Sequence, residues 1–250
     1  MSNTSRPELL SDASGSALED RHSELAEALR SGAEIELAGM LFDMDGTLVD
    51  SIAAVESAWR EWSQEIGVPM PDMALHGRTP RAVVEASGVA SEHIETAMAR
   101  LCEIESAPAV PSRVLSGVLD FLAVLPEDSW GVVTSAAGAV FQSRIESAGL
   151  PAPTFRITAD DVTRGKPHPE PFARGIAELR DRGRSGTIVA FEDSIAGLTS
   201  ARDAGCLAIG IHGADPSVNL SDYAHAVIPS FTALSVTTQE STLRMRMIVP

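Results

Sequence analysis

Leu41-Phe42-Asp43-Met44-Asp45-Gly46-Thr47-Leu48-Val49-Asp50-Ser51 is the stretch on which the fold turns. An apolar run ends in two carboxylates two residues apart, followed by a glycine. On an extended strand, residues i and i+2 share a face. Asp43 and Asp45 are therefore expected to look into one pocket from the end of one strand. Two anions side by side are unfavourable unless a cation or a shared proton relieves them. The pattern suits a magnesium ion, a phosphate substrate and an aspartate nucleophile. Taken alone, Asp-Gly is also how a strand ends in a turn, so the rest of the chain has to decide.

Upstream, residues 1–34 form an extension rich in Ser, Ala and Glu, with a disordered start and one short amphipathic helix carrying Leu18, Leu25 and Leu29. Downstream, Ile52, Val55, Trp59, Trp62 and Ile66 recur at helical spacing. Helix-like sequence continues through His93 to Glu105, which makes residues 51–112 a helical cap inserted after the first strand. A helix from Val114 to Leu125 leads back. Strands then alternate with helices: Trp130–Thr134, Phe155–Thr158, Thr187–Phe191, Leu207–Ile211 and Ala226–Ile228. This alternation predicts an α/β fold, a Rossmann-like parallel sheet with helices on both faces, built from residues 35–50 and 113–236. Residues 237–250 read as a C-terminal tail. Folds of this kind bind ligands outside the carboxyl ends of their strands.

Composition narrows the function. The 250 residues carry a net charge of −16, from 19 basic and 35 acidic side chains, which argues against nucleic acid as a partner. A small phosphate ester needs only a local cluster of donors and a metal. No apolar stretch approaches the length of a membrane span and no signal-peptide core is evident, so a cytoplasmic protein, monomer or weak homodimer, with no membrane partner is expected. Cys102 and Cys206 read as reduced thiols rather than a disulfide.

The polar residues at the strand ends form a set. Asp43 and Asp45 end the first strand, Thr134 and Ser135 the second, Lys166 lies in Arg164-Gly165-Lys166-Pro167-His168-Pro169, and Glu192 and Asp193 end the strand Thr187–Phe191. In phosphoryl transfer Asp43 serves as nucleophile and Asp45 as general acid and base. Mg²⁺ prefers oxygen ligands, here Asp43, Asp193 and the backbone carbonyl of Asp45, with Glu192 in support. Lys166, Thr134 and Ser135 bind the phosphate oxygens, and Gly46 lets the backbone approach them. His168 is expected to pack within its proline-framed loop, and His93, His212 and His225 show no ligand spacing.

This ordered set resembles the haloacid dehalogenase superfamily, on Asp43-Met44-Asp45-Gly46-Thr47, Thr134-Ser135, Gly165-Lys166-Pro167 and Glu192-Asp193-Ser194, over residues 39–230. The resemblance implies a Rossmann-like core, a mobile helical cap and an Mg²⁺-dependent aspartyl-phosphate intermediate. It also disfavours dehalogenation, because true dehalogenases lack the aspartate corresponding to Asp45. Leu125–Ser135, Ile157–Val162 and Gly165–Pro171 look like the glycerol-3-phosphatase and 2-deoxyglucose-6-phosphatase group, and the cap segment His76-Gly77-Arg78 is similar to that group's His-Gly segment. The expectation is a phosphatase acting on a small sugar or polyol monophosphate, with His76, Gly77 and Arg78 contacting substrate. A sugar phosphomutase of the β-phosphoglucomutase type is the alternative. Val49-Asp50-Ser51 and Pro108–Ser112 are the candidate cap hinges.

Overall fold

A computed structural model describes residues 12–71, 79–212, 219–239 and 242–248. Its strands, in chain order, are β1 (Ile35–Leu37), β2 (Gly39–Phe42), β3 (Val49–Asp50), β4 (Arg113–Val114), β5 (Trp130–Val133), β6 (Arg156–Ile157), β7 (Ile188–Glu192), β8 (Leu207–Ile211), β9 (Ala226–Ile228), β10 (Leu234–Gln239) and β11 (Thr242–Met247). The α-helices are α1 (Asp12–Arg30), α2 (Ile52–Ile66), α3 (Pro80–Ala86), α4 (Ile94–Ser106), α5 (Val118–Ala123), α6 (Gly138–Ala148), α7 (Glu170–Asp181) and α8 (Ile195–Asp203).

Six strands make one sheet in the order β6-β5-β2-β7-β8-β9, and every pairing is parallel. Parallel strands covered on both faces read as unbroken apolar runs, and β2, β5, β7 and β8 are buried at every position. Side chains alternate between two cores. Met40, Phe42, Val189 and Phe191 join Phe121 and Phe231 on one face. Leu41, Val133 and Ala190 meet Phe172 and Leu179 on the other. Phe42 and Phe191, on neighbouring strands, stack with centroids 5.1 Å apart. The sheet order leaves β2 in the middle, so the Asp43 segment emerges between β5 and β7.

The cap has a core of its own, in which α2, α3 and α4 enclose Trp59, Trp62, Val84, Leu101 and Ile104. Trp62 is fully buried, and its indole N–H is satisfied by the Ala97 carbonyl at 2.8 Å. Two short strands connect cap and sheet, with Val49 facing Val114 and Asp50 facing Arg113 in antiparallel register. The helix expected from Val114 is therefore delayed: Val114 belongs to this ribbon, and α5 begins only after Gly117. Gly117 has φ +80°, and a Cβ there would lie 2.8 Å from the Thr232 backbone nitrogen, so the chain turns where a side-chain-bearing residue would not fit.

The segments flanking the sheet are more ordered than the sequence suggested. The stretch from Thr237, read as a tail, forms strand: β10 and β11 pair antiparallel, and β11 also pairs with β1, setting Ile35 opposite Met245. The period-two alternation decides this, because Leu243 and Met245 are fully buried while Arg246 is exposed. Within the N-terminal extension α1 buries His22, Ala26 and Leu29 along one stripe, and Leu25 packs partly against the core. Leu18 remains exposed, so the apolar stripe starts a turn later than expected.

His22 and His225 meet edge-on at 5.1 Å, beside Glu19. His225 Nδ1 accepts the Ala208 N–H at 2.9 Å, which puts its proton on Nε2, toward Glu19 at 3.3 Å. Neither nitrogen of that ring is then left to bind a cation. Burial, with His225 and nearby Arg21 and Arg202 adding repulsion against the opposing pull of Glu19, pushes His22 down to about 4.

Two outcomes follow from this packing. Met245→Ala should reduce unfolding free energy by about 2–5 kcal/mol, whereas Arg246→Ala should change it by no more than about 0.5 kcal/mol, as read by urea denaturation. A histidine depressed on folding favours the neutral ring, so its contribution is complete above the unfolded value near 6.5 and is lost as pH falls toward 4. Wild type should therefore lose stability relative to His22→Phe across that interval; parallel curves would refute the assignment.

Candidate active site

The carboxyl ends of β5, β2 and β7 converge on one ammonium. Lys166 Nζ donates to Asp43 Oδ1 at 2.5 Å, to Glu192 Oε1 at 2.7 Å and to the Val133 carbonyl at 2.9 Å. Those partners use all the donors an ammonium has. Lys166 is only 4% exposed, and it also lies 5.1 Å over the Phe172 ring. Burial works against its charge, but Asp43 and Glu192 outweigh that and hold it above the ordinary lysine range. The other Glu192 oxygen accepts the Ser194 N–H at 2.8 Å and the Ser194 hydroxyl at 2.9 Å. Ser194 in turn caps α8 by accepting the Gly197 N–H at 3.0 Å. Glu192 is thus fully engaged and supports Lys166.

Asp43, Glu192 and Asp193 place carboxylate oxygens within 4.8 Å of one another. Burial raises the Asp43 carboxyl well above its usual value; Lys166 offsets part of this, and Glu192, Asp193 and Asp45 reinforce it. Asp193 is likewise raised by burial and by Glu192, with Lys166 opposing. Concentrated negative charge around hard oxygen donors suits Mg²⁺. With Glu192 occupied, Asp43 and Asp193 are the side chains that could hold such an ion. The loop leaves little other room: Gly46 has φ +83°, and a Cβ on it would sit 1.8 Å from Asp193 Oδ2. That contact packs the Asp43-Met44-Asp45-Gly46 turn directly against the end of β7.

Asp45 is held differently. Its Oδ1 accepts the Ser51 hydroxyl at 2.5 Å and its Oδ2 accepts Arg144 Nη1 at 2.5 Å. Its carboxylate thus faces Ser51 and Arg144 rather than joining the Asp43–Glu192–Asp193 group. Thr134 is buried, and its Oγ1 accepts the Ala136 N–H at 3.1 Å in a local turn; α6 is capped later, at Ala137, so Thr134 is not its cap. Ser135 lies beside it, half-buried. His168 Nδ1 accepts the Glu170 N–H at 3.1 Å, within its own loop. His76, Gly77 and Arg78 lie outside the described residues.

The sequence reading passed over Arg144 and Glu105. Arg144 Nη2 donates to Glu105 Oε1 at 2.8 Å, and both side chains are buried. The signal was present: Arg144 falls between Phe141 and Ile145 on the apolar stripe of α6, and Glu105 follows Leu101 on the buried face of α4. A charge on a buried stripe needs a partner.

The haloacid dehalogenase-like hydrolase profile matches residues 40–211. The chain belongs to that family and is an enzyme of it. Among curated relatives, hexitol phosphatase A of Escherichia coli is 33% identical over 207 residues, covering 80% of this chain and 94% of the relative. Glycerol-1-phosphate phosphohydrolase 2 of Saccharomyces cerevisiae is 33% identical over 193 residues, covering 71% and 75%. In fold, the chain is similar to a candidate β-phosphoglucomutase from Bacteroides vulgatus, with TM-score 0.66 and 22% identity over 86% of this chain and 93% of that one.

Removing the ammonium should be costly. Lys166→Met leaves Asp43 and Glu192 buried without their counter-charge, and should lower unfolding free energy by about 3–5 kcal/mol in denaturant titration.

Proposed function

We propose that the chain is an Mg²⁺-dependent phosphatase that hydrolyses a small sugar or polyol monophosphate through phosphorylation of Asp43. The observation that carries this reading is the pairing of Asp43 with Lys166 at 2.5 Å inside a carboxylate cluster at the carboxyl end of a central parallel strand. The substrate class is supported by the hexitol and glycerol phosphatases among the relatives.

With Oδ1 held by Lys166, Asp43 presents Oδ2 to phosphorus. The Oδ2–P bond forms as the ester P–O bond breaks, and the departing alkoxide takes a proton from Asp45. Water then attacks the phosphorus of phospho-Asp43 and gives a proton back to Asp45, releasing phosphate and restoring both carboxyl groups. Thr134, Ser135 and the backbone around Gly46 hold the non-bridging oxygens, and Lys166 joins them by exchanging one of its three present acceptors for a phosphate oxygen. Bound Mg²⁺, held by Asp43, Asp193 and the Asp45 backbone carbonyl, would draw charge from the phosphoryl group. His76, Gly77 and Arg78 are the proposed cap contacts to the sugar or polyol hydroxyls.

A phosphate-release screen with Mg²⁺ over hexitol, glycerol, hexose and deoxyhexose phosphates tests the proposal. Asp43→Asn should abolish release, and Asp45→Asn should lower kcat by about 10²–10⁴-fold. Retained release by Asp43→Asn would overturn the nucleophile assignment. Conversion of glucose 1-phosphate to glucose 6-phosphate with a bisphosphate primer, without free phosphate, would make the enzyme a mutase.

A further inference from the structure

We propose that Arg144 is a positioning residue, clamping the Asp45 carboxylate to cap helix α4 through Glu105, so that the aim of Asp45 depends on where the cap sits. The inference rests on the proposed role of Asp45 as the proton donor and acceptor.

Arg144 lies on α6, in the sheet-bearing body, and is 3% exposed. A guanidinium at that depth is tolerated only with close counter-charges. Its counter-charges come from two different bodies. Nη1 reaches Asp45 Oδ2 in the β2 turn, and Nη2 reaches Glu105 Oε1 in the last turn of α4. Each terminal nitrogen serves one carboxylate, so the rigid fork of the guanidinium converts a displacement of α4 into a displacement of the Asp45 side chain. Arg144 Nε is buried with no hydrogen-bond partner among the described residues.

The other oxygen of Asp45 points to the same conclusion. It accepts the hydroxyl of Ser51, the residue immediately before the first cap helix. Glu105 lies at the opposite end of the cap, in the helix that leads back to β4. One carboxylate is therefore gripped from both ends of the inserted segment, directly at its entry and through Arg144 at its exit. Because β3 and β4 form the ribbon between these two points, cap movement about that ribbon cannot leave Asp45 unaffected. The geometry assigns Arg144 no contact with the phosphate; it acts on the reaction through Asp45.

The experiment compares Arg144→Lys and Glu105→Gln with wild type on two esters under saturating Mg²⁺. One is the best sugar or polyol phosphate from the screen, whose alkoxide leaves only with a proton. The other is p-nitrophenyl phosphate, whose leaving group needs none. Lysine keeps the positive charge and so preserves folding, which is checked by thermal unfolding, but its single ammonium cannot bridge two carboxylates as a fork does. Each variant should lower kcat on the sugar phosphate by about 10–100-fold, the scale of a misaligned catalytic group, with KM changed less than about threefold. The pre-steady-state burst of p-nitrophenol should stay within about threefold of wild type. The double variant should be no slower than the worse single one, since both break the same bridge.

Equal losses on the two esters, losses confined to KM, or additive losses would overturn the inference. Asp45→Asn run alongside separates the two readings. If it shows the leaving-group dependence and Arg144→Lys does not, the Arg144 inference falls alone. If Asp45→Asn lacks that dependence, the acid–base reading falls and the inference with it.

Discussion

One buried ammonium organises the end of the sheet. Lys166 comes from the loop after β6, yet it bonds to Val133 of β5, to Asp43 beyond β2 and to Glu192 of β7. These are three adjacent strands, in the order β5-β2-β7. A single cation thus fixes the relative positions of groups to which the proposed chemistry is assigned. It also makes their proximity tolerable, because Asp43 and Glu192 could not lie side by side in a buried site without it. The remaining negative charge, carried by Asp193, makes this a cluster that could hold a divalent ion. Preorganisation of this kind means little rearrangement is required when charge shifts during reaction.

Much of this was legible in the sequence because its signals are local and periodic. Unbroken apolar runs marked β2, β5, β7 and β8, and Asp43, Thr134, Ser135, Glu192 and Asp193 sit within two positions of a strand end, so placing the strands placed them, whereas Lys166 and Asp45 lie further out. What escaped depends on tertiary contact. The alternation in Thr242–Met247 is a short-range strand signal, but its partners, β10 and the distant β1, are visible only in the fold. The late start of α5 follows from Thr232 pressing on Gly117, a contact between segments far apart in the chain. Asp45 was read as sharing a pocket with Asp43, but that i, i+2 argument assumes a strand that in fact ends at Phe42; the turn swings Asp45 toward Ser51 and Arg144 instead.

The cap and the sheet differ in how they are held. Each has a closed apolar core, and the cap's tryptophan cluster does not merge with the phenylalanines of the sheet. Between them run the short β3–β4 ribbon, the packing of α4 on α6 and the buried charges of Glu105 and Arg144. Polar links of this kind are directional and break over short distances, whereas apolar packing is not. The architecture therefore keeps each body rigid and concentrates its directional contacts where they meet.

The pairing of β1 with β11 has a consequence for how the chain matures. During synthesis β1 emerges well before the strand opposite it, in which Met245 faces Ile35. Until β11 emerges, β1 has no strand partner among the described residues, and Leu37 lacks the neighbour Leu243 that its register assigns it. The parallel sheet can assemble in the meantime, while this flank closes only once β11 has been made. The nascent protein thus carries an open seam between the emergence of β1 and that of β11, and β11 is the strand that seals it.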